Sequence, residues 1–382
     1  MKTIYFDYNA TTPLDPQVRS AMLPYLDEVW GNPSSVHHVG RKARSCLDDL
    51  RDRAASFLGA KPSEIVFTSG GTESVNLAIF GTARLLKARG RHLITSAVEH
   101  HAVLHACEYL AKQEGFEITV LPVDSTGRVA VESLRQALRP DTILVSLQAA
   151  NNEIGTLQPV AELGALCRSR GVLFHTDAVQ WFGKEPLSTL QQFNADLVSI
   201  CAHKFHGPKG AGALFIKSPL LPDPVFFGGA HENERRAGTE NLPAIAGLVE
   251  ALVRFVKTPV FDQALLSPLC SRLLKLVDSI AGVHFVGSRE QRLKNTVSFL
   301  VDRADSITLL AGLDLEGICA SSGSACSAGS LVPSHVVSAL GFEPKLANSL
   351  VRFSLGRNST PEEVERAEYV LPSLIKRVQA TQ

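Results

Sequence analysis

Short apolar runs alternate with segments of helical periodicity between about residues 64 and 216. The apolar runs, which we interpret as strands, cover residues 64–68, 92–96, 117–121, 142–147, 172–176, 197–200 and 213–216. This alternation predicts an α/β fold, with a parallel sheet that is covered by helices on both faces. Because such sheets bind ligands beyond the carboxyl ends of their strands, the residues that follow the strands are the candidates for a functional site.

Five chemically distinctive residues follow predicted strands on that same side. They are Gly71, His100, Asn152, Asp177 and Lys204. A desolvated lysine can form a Schiff base with an aldehyde, and a buried carboxylate needs a cation such as a protonated pyridine nitrogen. A glycine-rich turn at a helix start offers backbone N–H groups to a phosphate. Together the five residues suit the parts of a phosphorylated pyridine aldehyde.

Each of these residues also has an ordinary structural interpretation. Most lysines at strand ends are solvated, and a turn such as 69–72 is often a tight connection with a threonine cap. A histidine like His100 is commonly a cap or a surface group. Asn32 and His37 are typical of a turn and a cap before a helix predicted at about residues 34–58, for which Ser34 or Ser35 is the expected cap.

Composition excludes several classes of protein. The 382 residues suffice for two domains, and 38 basic residues balance 38 acidic ones, which leaves no basic surplus for nucleic acid. The N-terminal residues do not resemble a signal peptide, and no apolar run is long enough to span a bilayer. Seven cysteines without tight spacing do not predict a disulfide framework. We therefore expect a cytoplasmic protein.

The pattern changes after about residue 258, where Thr258 and Pro259 form a plausible hinge. Residues 321–330 form a loop of small side chains that carries Cys326, a candidate nucleophile or an incidental cysteine in a linker. Arg352, on a predicted strand, has the planar fork that binds carboxylates, although most strand arginines only extend toward solvent. Zinc is not predicted, because the spacing of Cys201, His203 and His206 fits no common zinc pattern.

Ten motifs in order resemble those of the cysteine desulfurases with a long cysteine loop, within the class V aminotransferase family. They are YFDYNATTPLDP, GNPSSVH, FTSGGTESVNLAI, EHHAVL, NNEIGTLQPV, HTDAVQ, AHKFHGPKG, RAGTEN, SSGSACSAGS and VRFSLGR. The resemblance runs nearly end to end. It implies a fold type I pyridoxal-phosphate (PLP) enzyme that acts as a homodimer, with a large domain at 13–258 and a smaller α+β domain formed by 1–12 and 259–382.

The same resemblance implies roles for individual residues. Lys204 would hold PLP covalently, Asp177 would pair with the pyridine nitrogen, Gln180 would bond the phenolic oxygen, His100 would stack on the ring and Asn152 would contact the cofactor. The phosphate would be bound by residues around the glycine-rich turn, namely Gly71, Thr72, Cys201, His203 and, from the neighbouring subunit, Thr239. Arg352 would hold the substrate carboxylate together with Asn32 and Asn152.

The activity implied is removal of sulfur from L-cysteine, which gives L-alanine and a persulfide on Cys326. Lys204 would move the Cα proton, and His100 would handle the proton of the substrate thiol. The sulfur would pass to an acceptor protein, either an iron–sulfur scaffold or a relay for transfer-RNA thiolation. No membrane and no direct nucleic-acid partner is expected.

Two features depart from the family's pattern. Cys201 stands where relatives usually have a serine whose hydroxyl bonds the phosphate, and a thiol is a weaker donor. The chain also lacks the longer C-terminal tail with which relatives dock a scaffold protein, which puts that partner in doubt. A selenocysteine lyase would use the same residues, whereas an aminotransferase would not need Cys326. A non-catalytic sulfur-transfer protein would not need Lys204 and Asp177.

Overall fold

A computed structural model describes residues 3–323 and 333–380 of the chain. Its strands are β1 Ile4–Tyr5, β2 Ile65–Thr68, β3 His92–Ser96, β4 Glu117–Leu121, β5 Thr142–Ser146, β6 Leu173–Asp177, β7 Leu197–Cys201, β8 Gly212–Ile216, β9 Val283–Val286, β10 Thr296–Val301, β11 Ile318–Cys319 and β12 Val351–Ser354. Seven of them, in the order β2-β8-β7-β6-β5-β3-β4, form the central sheet. The predicted α/β architecture is therefore confirmed.

The helices alternate with these strands. They are α1 Pro16–Met22, α2 Pro24–Asp27, α3 His38–Leu58, α4 Gly71–Asn76, α5 Thr82–Leu85, α6 His101–Glu114, α7 Val131–Ala137, α8 Val160–Ser169, α9 Leu242–Phe255, α10 Gln263–Ser279, α11 Ser306–Leu315, α12 His335–Ala339, α13 Pro344–Ala347 and α14 Pro361–Gln379. A π-helical turn, Leu77–Gly81, joins α4 to α5. Within the described residues, no helix is long and apolar enough to cross a membrane.

The central sheet is parallel except for β8, which runs against both β2 and β7. Only residues 202–211 connect β7 to β8, and a parallel connection requires about a dozen residues or more, usually with a helix. The predicted parallel sheet is therefore confirmed as a mainly parallel one, in which β8 is the antiparallel strand.

Alternate residues of the strands pack on opposite faces of the sheet, as the pleat requires. Phe67 and Phe215 belong to the larger apolar cluster, which includes residues of α3, α8 and α9. Val66 and Leu214, their sequence neighbours, pack in a second cluster with residues of α4 and α6. Helices therefore cover both faces, and the carboxyl ends of the parallel strands stay open at one edge.

The remaining strands belong to a smaller α+β region. An antiparallel sheet in the order β12-β10-β9 packs with α10, α11 and α14 in a separate apolar cluster, which also contains residues 4–8. β1 pairs in parallel with β11. The N-terminal segment thus crosses from this region to the edge of the central sheet, where it reaches the site described below.

One predicted helix starts later than expected. The helix expected from about residue 34 begins at His38, and the ring of His37 rather than Ser34 or Ser35 caps it by accepting a hydrogen bond from Gly40 N (3.3 Å). Residues 15–29 form the two short helices α1 and α2. The proline that starts α2 explains the break, because proline cannot donate to the preceding turn.

Candidate active site

A cavity of about 260 Å³ opens at the carboxyl edge of the central sheet. It is lined by ten of the residues singled out from the sequence, namely Gly71, Thr72, His100, Asn152, Asp177, Gln180, Cys201, His203, Lys204 and Arg352. Asn9, Ala10 and Gln148 also line it. The strand ends therefore converge as expected, although the role of each residue stays a prediction.

Lys204 ends the short 3-10 turn that follows β7. Its Nζ donates hydrogen bonds to the backbone oxygens of Asn9 and Ala10, each at 2.8 Å. Burial lowers the pKa of the amine, which favours the neutral, nucleophilic form. The N-terminal segment thus holds the amine at the cavity wall, in a setting suited to covalent chemistry.

Asp177 ends β6 and is 8% exposed. Its Oδ1 accepts a hydrogen bond from Val179 N (3.0 Å), and among the described residues it forms no salt bridge. Burial raises the pKa of the carboxyl to about 6. A carboxylate in this position is costly without a cation, so the site is suited to a ligand that brings a protonated nitrogen.

Two histidines of the cavity are held as neutral rings. His100 caps α6, with its Nδ1 accepting from Ala102 N (3.1 Å), so the interpretation as a cap and the location in the cavity are both correct. Burial and the charge of Lys204 lower the pKa of His100 to about 4, and they do the same for His203. Neutral imidazoles can accept a proton from a ligand or stack on a flat ring.

The start of α4 forms one end of the cavity. A Cβ on Gly71 would lie 2.8 Å from Val179 Cγ2, so a side chain has no room there. The backbone N–H of Gly71 faces the sulfur of Cys201, and burial raises the pKa of that thiol. Together with Thr72 and His203, these groups offer backbone and side-chain donors and leave an open space, a combination suited to an anion.

Arg352 also lines the cavity and is 1% exposed. Its Nη2 pairs with Asp7 Oδ1 (2.6 Å), and its Nη1 donates to the backbone oxygens of Asn152 (2.8 Å) and Gly323 (2.6 Å). The buried Nε lacks a hydrogen-bond partner among the described residues. A buried donor without a partner is unfavourable, so a small anionic ligand would find a ready contact.

Two predicted residues, Asn32 and Thr239, do not line this cavity. Asn32 is exposed and closes a turn by accepting from Ser34 N (2.8 Å), as the structural interpretation predicted. Thr239 is exposed and lines a separate cavity of about 110 Å³. Cys326 lies outside the described residues.

Sequence reasoning gave no role to two further residues near the cavity. Asn9 belongs to the first motif, yet an asparagine in an extended segment has no pattern that marks it as buried. Lys184 is 2% exposed beneath the cavity and bonds the side chains of Gln180 and Asn9. Its only signal is a lysine soon after HTDAVQ. In the part of the chain that the structure describes, no group of three or more His, Cys, Asp or Glu side chains could hold a metal ion.

Residues 4–367 match the aminotransferase class-V family. The chain belongs to the class V aminotransferases. The predicted family is thereby confirmed, and so is the predicted cofactor, because class V aminotransferases use PLP.

Several relatives of this class V aminotransferase align over nearly its whole length. Cysteine desulfurase IscS of Dictyoglomus turgidum is 45% identical over 378 residues, which cover 99% of this chain and 95% of that protein. Cysteine desulfurase IscS of Methanosarcina thermophila is 45% identical over 99% of this chain and 93% of that protein. Putative cysteine desulfurase IscS 1 of Bacillus subtilis is 43% identical over 99% of this chain and 100% of that protein.

Solved structures agree with this assignment. The X-ray structure of a NifS-like protein from Rickettsia africae superimposes with a TM-score of 0.87 at 31% identity, over 98% of this chain and 99% of that one. SspA, solved in complex with cysteine, superimposes with a TM-score of 0.82 at 34% identity, over 94% of this chain and 100% of that one. The fold is therefore that of the NifS-like PLP enzymes.

The cavity of this class V aminotransferase is suited to PLP on chemical grounds. It combines a buried amine, an isolated buried carboxylate and a donor-rich end where Gly71 leaves space. These groups match an aldehyde, a pyridine nitrogen and a phosphate, respectively. The residues present therefore fit the cofactor that the family uses.

Proposed function

We propose that the protein is a cysteine desulfurase, which converts L-cysteine to L-alanine and passes the sulfur through Cys326 to an acceptor. The observation that carries the proposal is the alignment with proteins named cysteine desulfurase over 93% or more of both chains. The cavity supports it, because a buried amine and a buried guanidinium lie on the wall of one space.

Seven residues would hold PLP, namely Gly71, Thr72, Asp177, Gln180, Cys201, His203 and Lys204. When bound, PLP acts as a sink for the electrons released at the substrate Cα. The raised pKa of Asp177 supports its pairing with a pyridinium nitrogen, since that cation would keep the carboxylate charged. His100, which lines the same cavity, would stack on the cofactor ring and Asn152 would contact the cofactor.

Lys204 and His100 would move the protons. A buried amine whose pKa is lowered can take a proton from Cα and return it without a strongly basic medium. His100 is neutral near pH 7, because its pKa lies at about 4, and it would accept the proton of the substrate thiol. The two groups line the same cavity, so both reach one small substrate.

The substrate carboxylate would be bound by Arg352, with Asn152 beside it. The place of Arg352 on the cavity wall and its near-complete burial support this role, because a charged hydrogen bond is strongest away from water. Asn32 is proposed as a further contact on the resemblance alone, since it is exposed outside the cavity.

In the sulfur step, the thiolate of Cys326 would attack the sulfur of the bound substrate. A sulfur–sulfur bond forms as the substrate carbon–sulfur bond breaks, and the electron pair of that bond stays on the substrate carbon. That carbon would then take up a proton and Lys204 would return the proton to Cα, which completes alanine and leaves a persulfide on Cys326. The proposal for Cys326 rests on the resemblance of residues 321–330 to the cysteine loop of the family.

The proposed assembly is a homodimer in which Thr239 of one chain reaches the phosphate of the other. We further propose a large domain at 13–258 and a small domain formed by 1–12 and 259–382. The proposed acceptor is an iron–sulfur scaffold protein or a transfer-RNA thiolation relay in the cytoplasm, with no membrane or nucleic acid bound directly.

The test is to incubate the purified protein with L-cysteine and a reductant and to measure alanine and sulfide. We expect a yellow protein whose cofactor is fixed to Lys204 by borohydride, and equal amounts of the two products. A yellow protein that releases alanine only from selenocysteine, or that exchanges amino groups without releasing sulfide, would contradict the proposed substrate. A colourless protein that binds no added PLP would contradict the proposal altogether.

A further inference from the structure

Lys184 is a buried lysine that contacts two residues of the cavity wall, Asn9 and Gln180. It is 2% exposed beneath the cavity, whereas lysine is almost never fully buried unless it is paired with an acid. Among residues 3–323 and 333–380, no carboxylate forms a salt bridge with it. A buried lysine without an acidic partner is costly, so its contacts suggest why the chain keeps it there.

The amine of Lys184 contacts two side-chain oxygens and one aromatic ring. It donates to Asn9 Oδ1 (2.6 Å) and to Gln180 Oε1, and it lies 5.2 Å from the ring centre of Phe261. Burial and the nearby charge of Lys204 lower the pKa of Lys184 well below its usual value. A variant that lacks Lys184 would therefore lose hydrogen bonds at this site rather than a full positive charge.

The contact with Gln180 fixes which way that amide faces. A glutamine amide has an acceptor end and a donor end, and an amine that donates to the oxygen leaves the NH₂ group on the other side. That NH₂ group donates to the backbone oxygen of Asn9 (3.0 Å), and Gln180 lines the cavity. Without Lys184 the amide would lose the contact at its oxygen and keep the bond of its NH₂ group to Asn9, so its orientation would be less strongly fixed.

The backbone oxygen of Asn9 also accepts from Lys204 Nζ (2.8 Å). Lys184, Gln180, Asn9 and Lys204 thus form one connected set of hydrogen bonds. Asn295 holds the same Asn9 from the other side, donating to its Oδ1 (3.1 Å), and it has no hydrogen bond to Gln180. The chain therefore offers two residues to compare: Lys184 contacts both Asn9 and Gln180, whereas Asn295 contacts Asn9, Leu355 and Thr296 but not Gln180.

We propose that Lys184 is a positioning residue, which holds the amide of Gln180 with its NH₂ group on the side of the Asn9 backbone carbonyl, the same carbonyl that accepts from Lys204. Gln180 then presents a donor, not an acceptor, to the cofactor that Lys204 holds. This inference rests on the PLP site of the proposed function, but not on the identity of the substrate.

The test compares Lys184→Met, which keeps the length and apolar stem, with Asn295→Ala. Both are purified with PLP, and the absorption band of the bound cofactor is titrated with pH in the absence of substrate. We expect the midpoint to move by about half a pH unit or more in Lys184→Met and to stay unchanged in Asn295→Ala. We also expect about fivefold weaker PLP binding to the Lys184→Met apoprotein, the effect of about one lost hydrogen bond. Equal effects of the two variants would show that Lys184 acts only by supporting Asn9.

A double-mutant cycle with Gln180→Leu completes the test. If Lys184 acts through Gln180, Lys184→Met changes neither the midpoint nor the affinity further in the Gln180→Leu background, and full additivity overturns the proposal. If Lys184→Met does not fold, the same measurements are made on Lys184→Gln, which is a milder change. A protein that binds PLP but releases no alanine would contradict the proposed substrate and leave this test intact. Absence of PLP binding in the wild type would overturn both.

Discussion

Two cavities at the edge of the central sheet differ in what holds their residues. The larger one, with Lys204 and Asp177, is lined largely by residues that directly follow strands of the sheet. The smaller one contains Thr239, which belongs to the polar loop 228–241. That loop is fastened by ion pairs: Glu232 binds Arg51 at 2.6 Å, and Arg236 binds Glu73 at 2.8 Å.

The two cavities are held in place by different kinds of interaction. Packing of the sheet fixes the larger cavity within one chain, because moving a strand end would disturb the apolar clusters on both faces. A few buried charges fix the loop, and Thr239 lies in a cavity other than the one that contains Lys204. Its proposed role at a phosphate therefore requires a second copy of the chain.

The largest effect on the sheet-edge cavity is expected from Lys204→Ala. Because the amine is proposed both to attach the cofactor and to move the Cα proton, alanine release should fall by at least about 10²–10⁴-fold. Borohydride should no longer fix PLP to the protein, although added PLP should still bind. Normal turnover by this variant would contradict the role of Lys204.

Glu232→Ala tests the loop. Removing one partner of a buried ion pair typically costs about 3–5 kcal/mol, and Glu232 is 4% exposed and also accepts from Phe67 N (2.9 Å). We expect a loss of that size in urea unfolding. Glu234→Ala is the control, because both residues have a positive φ (50° and 63°) but Glu234 is exposed. Equal losses in the two variants would mean that backbone strain, not the ion pair, holds the loop.

Asp177→Asn should stabilise the apoprotein while impairing the enzyme. Burial raises the pKa of the Asp177 carboxyl from 3.8 to about 6, so the folded apoprotein binds this proton more tightly than the unfolded chain does. Its stability therefore falls as pH rises through that window, by up to roughly 3 kcal/mol. Because asparagine does not ionise, the Asp177→Asn apoprotein does not lose stability in this way as pH rises.

Urea unfolding of the two apoproteins checks the sign. The Asp177→Asn variant should be the more stable one at pH 8, and the difference should shrink toward zero near pH 4. A wild-type apoprotein that is more stable than the variant at pH 8 would show that a cation of the protein already compensates the carboxylate.

The smallest effect is expected from Cys201→Ser. The thiol of Cys201 faces Gly71 N–H at the end of the cavity, and a hydroxyl is a better donor to a phosphate. We expect the serine variant to bind PLP roughly two- to tenfold more tightly, which is the effect of about one hydrogen bond. Equilibrium titration of apoprotein with PLP measures it, and unchanged or weaker binding would mean that this side chain does not contact the phosphate.

Much of the sheet could be predicted from the sequence, because burial on both faces leaves continuous apolar runs. β3 and β4 have the predicted bounds. The direction of β8 was not predicted, since an apolar run carries no direction and only the short connection 202–211 decides it. The start of α3 was misplaced because serine is a commoner cap than the ring of His37.

Hydrophobic patterns also explain which residues of the site could be predicted from the sequence and which could not. Asp177 and Lys204 end apolar strands, so the topology alone brings them together. Asn9 lies in an extended segment far away in sequence, and its position depends on the pairing of β1 with β11 and on long-range hydrogen bonds to Lys204 and Asn295. Lys184 has a polar side chain at a buried point, which no hydrophobic pattern indicates.

The measurement that tests the account most directly compares Cys326→Ala with Cys319→Ala in alanine release from L-cysteine. Cys319 is a partly buried thiol on β11, a few residues before the loop. We predict that both variants stay yellow and that Cys319→Ala keeps its activity. Cys326→Ala should lose at least about 10²-fold in activity, because it lacks the proposed nucleophile. Alanine and sulfide released by Cys326→Ala at the wild-type rate would contradict sulfur transfer through Cys326.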